Sequence, residues 1–284
     1  MRYVLAVAET KSFTRAAEQC LVVQSSLSQQ VKALEQELGV KLFARTSRRV
    51  ELTEAGAAFL PAARAALDAA DRAGQEAAAA TGQIRGQLRI GTIPTLTGLD
   101  LPEALGRFCR EHPDVTVSLW TASSAELIQA VRDRRADIAF LGLPSAETPQ
   151  GVEYQVLSDE KLVAVLPAGH PLTAEDELSL GQLAGVPFAD FPTGTAGRVQ
   201  SDTAFTAAGL QRRVAFEAMD VNLILGLVRQ GLAVSLLPPG AVPATDDLAI
   251  HSLTDGPQRR EHLIWSSFNQ TPAAAAFTER LQAS

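Results

Sequence analysis

Along the first sixty positions apolar residues recur at the spacing of amphipathic helices: Val4, Leu5 and Ala8, then Phe13, Ala16 and Ala17, then Leu27, Val31, Leu34 and Leu38. Three short helices with such seams can bury one another. Cys20-Leu21-Val22-Val23 has the length of the tight turn in a helix-turn-helix, and Gly39 ends the third helix. Val40 to Phe43 reads as a strand, Arg45-Thr46-Ser47-Arg48-Arg49 as a basic tip, Val50-Glu51-Leu52 as the returning strand, and Thr53 as the cap of a new helix. This order describes a wing. From Thr53 to about Thr81 the chain is Ala-rich, with Phe59, Leu60, Ala63, Leu67 and Ala70 on one stripe and Pro61 as an expected kink. A small head cannot cover so long a stripe, so the pattern predicts pairing with a second chain.

Beyond a hinge at Gly82 to Gly86, strand and helix patterns alternate. Leu88 to Ile93, Val115 to Leu119 and Asp137 to Leu141 read as strands separated by helices around Leu101 to Phe108 and Leu127 to Val131. A second run gives strands at Leu162 to Leu166, Val186 to Phe191, Val214 to Glu217 and Ala233 to Leu237, with helices near Leu178 to Leu183, after Gly197 and at Val221 to Val228. His262 to Ser266 and a closing helix from Pro272 to Leu281 find no place in the second run and are expected to return to the first. Alternation of this kind predicts two α/β lobes with mainly parallel sheets and a cleft between them.

Charge divides along the same line. The first sixty residues carry eight Lys or Arg against six Asp or Glu, while the whole chain carries 25 against 32, a formal charge of −7. A local excess of cations in an acidic chain fits double-stranded DNA as the partner of the head. Gln24, Ser25, Ser28, Gln29 and Lys32 occupy the polar face and N-terminal end of the third helix, the residue types that read base edges and phosphates.

The order SFTRAAE, Q-x-x-LS-x-Q, ALE-x-ELG-x-x-LF-x-R and R-x-V-x-LTEAG, matched nearly throughout residues 12 to 56, resembles the LysR-type transcriptional regulators. The resemblance implies a winged helix-turn-helix over residues 1–57, a linker and dimerisation helix with its hinge over 58–86, and a two-lobed effector domain like the periplasmic solute-binding proteins over 87–284. Lobe one would take 87–158 and 263–284, and lobe two 159–262. It also implies a homodimer or homotetramer on promoter or operator DNA, contact with RNA polymerase, and DNA contacts from Thr14, the third-helix residues named above, Arg45, Arg48 and Arg49. Three departures stand out. The family pattern begins several residues upstream of Met1, which shortens the first helix. Val23 replaces the usual Ser or Thr cap, at a cost of about 0.5–2 kcal/mol unless Ser25 or Ser26 compensates, and Gln29 replaces the usual Arg or Lys.

Ligands of such lobes sit beyond strand ends, where helix N-termini offer free amides. Pro94, Thr95 and Leu96 follow the first strand of lobe one, and Thr193, Gly194, Thr195 and Arg198 precede a helix of lobe two. Their hydroxyls, amides and one guanidinium suggest a small anion or carboxylate. No phosphate loop, nucleophile elbow or His-Glu-x-x-His pair occurs, and His112, His170, His251 and His262 are dispersed, so no catalytic residue is expected. Cys20 and Cys109 lie in different predicted domains, and neither a metal nor a cofactor is expected; one branch of the resembled family senses peroxide through a cysteine pair in the second lobe, where this sequence has none. No run reaches the roughly 18 apolar residues of a membrane span, and the start lacks a signal-peptide pattern, which points to the cytoplasm. The alternative, a solute-binding protein without enzymatic activity, suits the C-terminal two thirds but leaves the helix-turn-helix unexplained.

Overall fold

The computed structural model describes residues 1–45, 50–267 and 270–282. They fall into two compact units, Met1–Gln83 and Ile84–Ser284.

In the first unit, α1 (Arg2–Thr10), α2 (Phe13–Gln19) and α3 (Gln24–Leu38) enclose a core of Val4, Val7, Phe13, Ala16, Leu27 and Val31. Ser12 caps α2 by accepting from the Arg15 N–H. Leu21, at φ 54° and 92% exposed, carries the chain through the turn into α3. Val23 occupies the N-cap of α3 without a side-chain hydrogen bond, and neither Ser25 nor Ser26 takes over, since the helix already includes both. Val23→Ser is therefore expected to raise the unfolding free energy of the head by about 0.5–2 kcal/mol in a urea titration; an unchanged midpoint would show that the cap is satisfied otherwise.

The strands β1 (Phe43–Arg45) and β2 (Val50–Leu52) pair antiparallel and lead into α4 (Glu54–Ala79), capped by Thr53 and continuous through Pro61. Gly56 lets the first turn of α4 press on the wing: a Cβ there would lie 2.1 Å from the Leu42 carbonyl oxygen. Of the apolar stripe, Ala63 is buried, and Phe59 and Leu60 pack partly on the head's core. Leu67 is half-buried and Ala70 exposed.

Lobe one of the second unit is a five-stranded sheet in the order β4-β3-β5-β13-β6, built from β3 (Gly86–Thr92), β4 (Val115–Thr121), β5 (Ile138–Pro144), β6 (Glu153–Lys161) and β13 (Gln258–Trp265). Helices α5 (Leu101–Glu111) and α10 (Pro272–Gln282) bury Phe108 and Phe277 with Leu88, Phe140 and Leu263 on one face; α6 (Ser124–Arg132) buries Leu127 and Val131 with Leu141 and Ile264 on the other. Lobe two orders β11 (Ser235–Leu237), β7 (Val163–Pro167), β12 (Leu248–Leu253) and β8 (Glu177–Leu178) in one sheet, with the pair β9 (Pro187–Asp190) and β10 (Arg213–Glu217) joined to it by a bridge between Phe188 and Val234. Its helices are α7 (Leu180–Leu183), α8 (Ala196–Ala207) and α9 (Val221–Arg229).

Two expectations change. The sheets are mixed rather than mainly parallel, because β13 runs antiparallel to both β5 and β6, and β7 antiparallel to β11 and β12. The lobe boundaries also move: residues 159–161 end β6 and residues 258–262 begin β13, so both segments belong to lobe one. The pattern hides β6 because an edge strand exposes one side, and Glu153-Tyr154-Gln155-Val156 shows no apolar run.

Candidate functional site

In the first unit Thr14, Gln24, Ser25, Gln29 and Lys32 are exposed and Ser28 is half-buried, so α3 presents one polar face away from its core. The Arg45 side chain, Arg48 and Arg49 lie outside the described residues. Glu35, on the opposite side of the same helix, went unnoticed in the sequence. It is 4% exposed and accepts from the backbone N–H groups of Leu42 and Phe43 at 2.9 and 3.2 Å and from Lys41 Nζ at 3.1 Å. That carboxylate ties the recognition-like helix to the wing. Burial alone would raise its pKa, but the Leu42, Lys41 and Phe43 hydrogen bonds outweigh it and hold the carboxyl below the usual range. A groove of about 590 Å³ between α1, the turn and α4 is lined by Tyr3, Leu5, Glu9, Leu21 and Leu67 among others.

In the second unit both lobes line a narrow cavity of about 40 Å³: Ile93, Pro94, Thr95, Ser123, Ser124, Gly142 and Arg259 from lobe one, and Phe191, Thr195, Gly197, Gln200 and Met219 from lobe two. A wider mouth of about 580 Å³ lies between Pro94, Thr121, Ala122 and Glu126 on one side and Met219, Asp220, Val221 and Asn222 on the other. Three helix N-termini converge here, each already capped by the chain itself. Ser123 and Glu126 form a capping box on α6, Thr195 accepts from the Arg198 N–H on α8, and Asp220 accepts from the Asn222 N–H on α9.

Of the seven residues expected at a ligand, the fold brings Pro94, Thr95 and Thr195 onto the cavity. The other four sit elsewhere. Leu96 packs into the core of lobe one, Gly194 is exposed at φ 88°, and Thr193 is exposed and donates to Glu217 Oε1. Arg198 has its charge engaged within the chain: Nε meets Asp202 Oδ2 at 2.9 Å, and Nη1 meets Glu217 Oε1 at 2.7 Å. The hydrogen bond from Arg198 holds the Glu217 carboxyl below its ordinary value. The Arg198 guanidinium is thus shared between two carboxylates of lobe two. Asp137 accepts from the Arg89 N–H at 2.7 Å and so joins β5 to β3.

The cavity's own polar groups were missed. Ser124 Oγ exchanges hydrogen bonds with the Gly142 backbone, and Arg259 donates from Nη1 to Thr95 Oγ1 at 2.9 Å. Gln200 is 4% exposed and lines the cavity, and among the described residues its amide has no hydrogen-bond partner. The described residues contain no group of three or more His, Cys, Asp or Glu able to hold a metal ion, and no helix long and apolar enough to cross a membrane.

Known proteins agree with this division. Residues 1–57 match the bacterial regulatory helix-turn-helix protein, lysR family, and residues 81–284 match the LysR substrate binding domain. A probable hydrogen peroxide-inducible genes activator of Mycobacterium avium is 36% identical over 86% of this chain and 78% of its own length. The Hca operon transcriptional activator HcaR of Escherichia coli is 35% identical over 84% of this chain and 80% of its own. The crystal structure of full-length CbnR complexed with its target DNA superposes with a TM-score of 0.71 at 28% identity, covering 99% of this chain and 97% of that one. A full-length OxyR variant from Pseudomonas aeruginosa gives 0.73 at 27% identity, over 98% and 90%.

Proposed function

The chain belongs to the LysR family of bacterial transcription regulators, and from that premise we propose that α3 enters the major groove of an operator. Gln24, Ser25, Ser28 and Gln29 then meet base edges, and Thr14, Lys32, Arg45, Arg48 and Arg49 meet phosphates. The observation that carries this reading is the exposed polar face of α3, set behind the turn at Leu21 and tied by Glu35 to the wing. A small molecule between the two lobes shifts their closure, and with it the spacing of paired DNA heads and the access of RNA polymerase. The chemistry is differential binding, not bond making. Both cysteines are packed against separate cores, Cys20 in the first unit and Cys109 in lobe one, which favours a ligand rather than a cysteine pair as the signal.

The stripe on α4 supplies the dimer seam. Leu67, half-buried in the groove against α1, is its centre, and pairing of two copies as a homodimer, or of two dimers as a homotetramer, places two α3 helices on neighbouring half-sites. Leu67→Glu is expected to give monomers by light scattering and at least about tenfold weaker operator binding, since each half-site then binds alone; an intact dimer would contradict the assignment. The function itself is tested by selecting duplexes from a random-sequence library with the purified chain. Enrichment of a site with dyad-related halves about one helical turn apart is expected; a pool that remains random would refute sequence-specific recognition.

A further inference from the structure

Among the described residues, a single charged side chain, Arg259, lines the interlobe cavity, and that cation is engaged by the protein itself. Its Nε donates to Glu160 Oε1 at 3.0 Å, and its Nη2 donates to the Thr95 carbonyl at 2.8 Å and pairs with Glu261 Oε1. Glu261 is fully buried and also accepts from the backbone N–H groups of Thr97 and Gly98, at 3.0 and 2.6 Å. The Thr97 and Gly98 amides, in the loop just beyond Thr95, are therefore filled by the chain's own carboxylate. One guanidinium with two carboxylates leaves a formal excess of negative charge behind the cavity wall. At the mouth, Glu126 and Asp220 add two more acidic groups, and among the described residues no Lys or Arg lines it.

Against this, one polar group in the cavity stands uncommitted. The Gln200 side chain, 4% exposed and without a protein hydrogen bond among the described residues, offers both a donor and an acceptor, with Phe191 and Met219 as an apolar wall beside it. A ligand seated in the cavity can therefore hydrogen-bond this amide without displacing a protein partner.

We propose that the ligand of this cleft carries no net negative charge: a small uncharged or cationic molecule that hydrogen-bonds the Gln200 amide, with carboxylates excluded by Glu160 and Glu261. This departs from the anionic ligand expected from the sequence, where nothing signalled that Glu160 and Glu261 would gather at Thr97 and Gly98 beside the expected residues. The inference rests on the reading of the cleft as the effector site. Exclusion of this kind arises because a wrongly charged ligand meets like charges it cannot pair, in a setting where screening by water is weak.

Acetate, acetamide and acetamidinium share one shape and differ in charge, which makes them suitable probes. Calorimetric titration of the full chain at constant ionic strength is expected to show acetate binding at least about tenfold more weakly than acetamide or acetamidinium. In Glu160→Gln and Glu261→Gln, circular dichroism first establishes folding; Glu160, at the rim of the network, is the substitution the fold tolerates more readily. Acetate should then gain about tenfold or more while acetamide stays within about twofold. Tighter binding of acetate than acetamide to the unaltered chain would overturn the proposal. So would folded Gln variants that bind acetate no better than the unaltered chain. If the charge preference appears but neither acetamide nor the substitutions alter the operator footprint, the assignment of ligand charge holds and the effector reading of the cleft fails.

Discussion

Replacing Arg212 by Ala is expected to cost the second unit about 3–5 kcal/mol in chemical denaturation, the loss typical of a buried ion pair that forfeits one partner. Arg212 is 3% exposed at its side chain and Asp190 1%, and Nη1 stands 2.6 Å from Asp190 Oδ2. A second carboxylate, Asp202, takes Nε and Nη2 at 3.0 and 2.7 Å. The guanidinium also lies over the rings of Phe188 and Phe205, 5.1 and 5.5 Å from their centroids. Removing it leaves an uncompensated carboxylate at the end of β9, next to Phe191 in the cavity wall. Burial pushes the Asp190 carboxyl above its usual range despite the attraction of Arg212. A carboxyl so raised favours the fold while protonated and loses that contribution as pH rises through its folded value. The deficit of Arg212→Ala should therefore shrink as the solution is made more acid, with the neutral form of Asp190 more easily reached. Combining Arg212→Met with Asp190→Leu, which removes both charges, should recover much of the loss. A full deficit in the double variant would show that the packing of the two rings, not the ion pair, holds this strand.

Glu35→Ala is the second large effect, about 2–4 kcal/mol on the head, because two buried backbone N–H groups lose their acceptor. Here the sign with pH is opposite. The carboxyl is held below its ordinary value of 4.5, so its contribution is fully present above that value and is lost as pH falls through the folded one. The gap between unaltered chain and variant should be full near neutrality and close in acid. Operator affinity should fall together with stability, since Leu42 and Phe43 are the wing residues that Glu35 anchors to α3. A variant that keeps the unaltered stability at neutral pH would mean that water replaces the carboxylate without penalty.

The two sites differed in how much of them could be read along the chain. The head is built from local contacts: the seams of α1 to α3, the cap at Thr53 and the turn at Gly39 all lie within a few residues of what they organise, so periodicity and capping rules reached them. The cleft is not local. Thr95 and Arg259 are 164 residues apart in sequence and meet because β13 returns from lobe two into the sheet of lobe one. Gln258-Arg259-Arg260-Glu261 reads as solvated loop, and only the pairing of β13 between β5 and β6 reveals that Arg259 and Glu261 are buried. Gln200 is similarly hidden, a polar residue on a weakly amphipathic helix whose burial depends on the facing lobe. Arg198 was legible as a cation near the cleft, but its acceptor Glu217 comes from β10, nineteen residues on. Strand-end chemistry thus located the cavity, while long-range pairing decided which side chains face it.

The most direct measurement of α3 as the sequence-reading element is affinity for the selected operator and for a scrambled duplex over a range of salt. Gln24→Ala is expected to lose about 1–3 kcal/mol of discrimination between the two duplexes while keeping the salt slope. Lys32→Ala should weaken both duplexes alike and reduce the slope by about 0.9, one phosphate contact. If the two variants show the same discrimination and the same slope, α3 does not divide base reading from phosphate contact, and the account is contradicted.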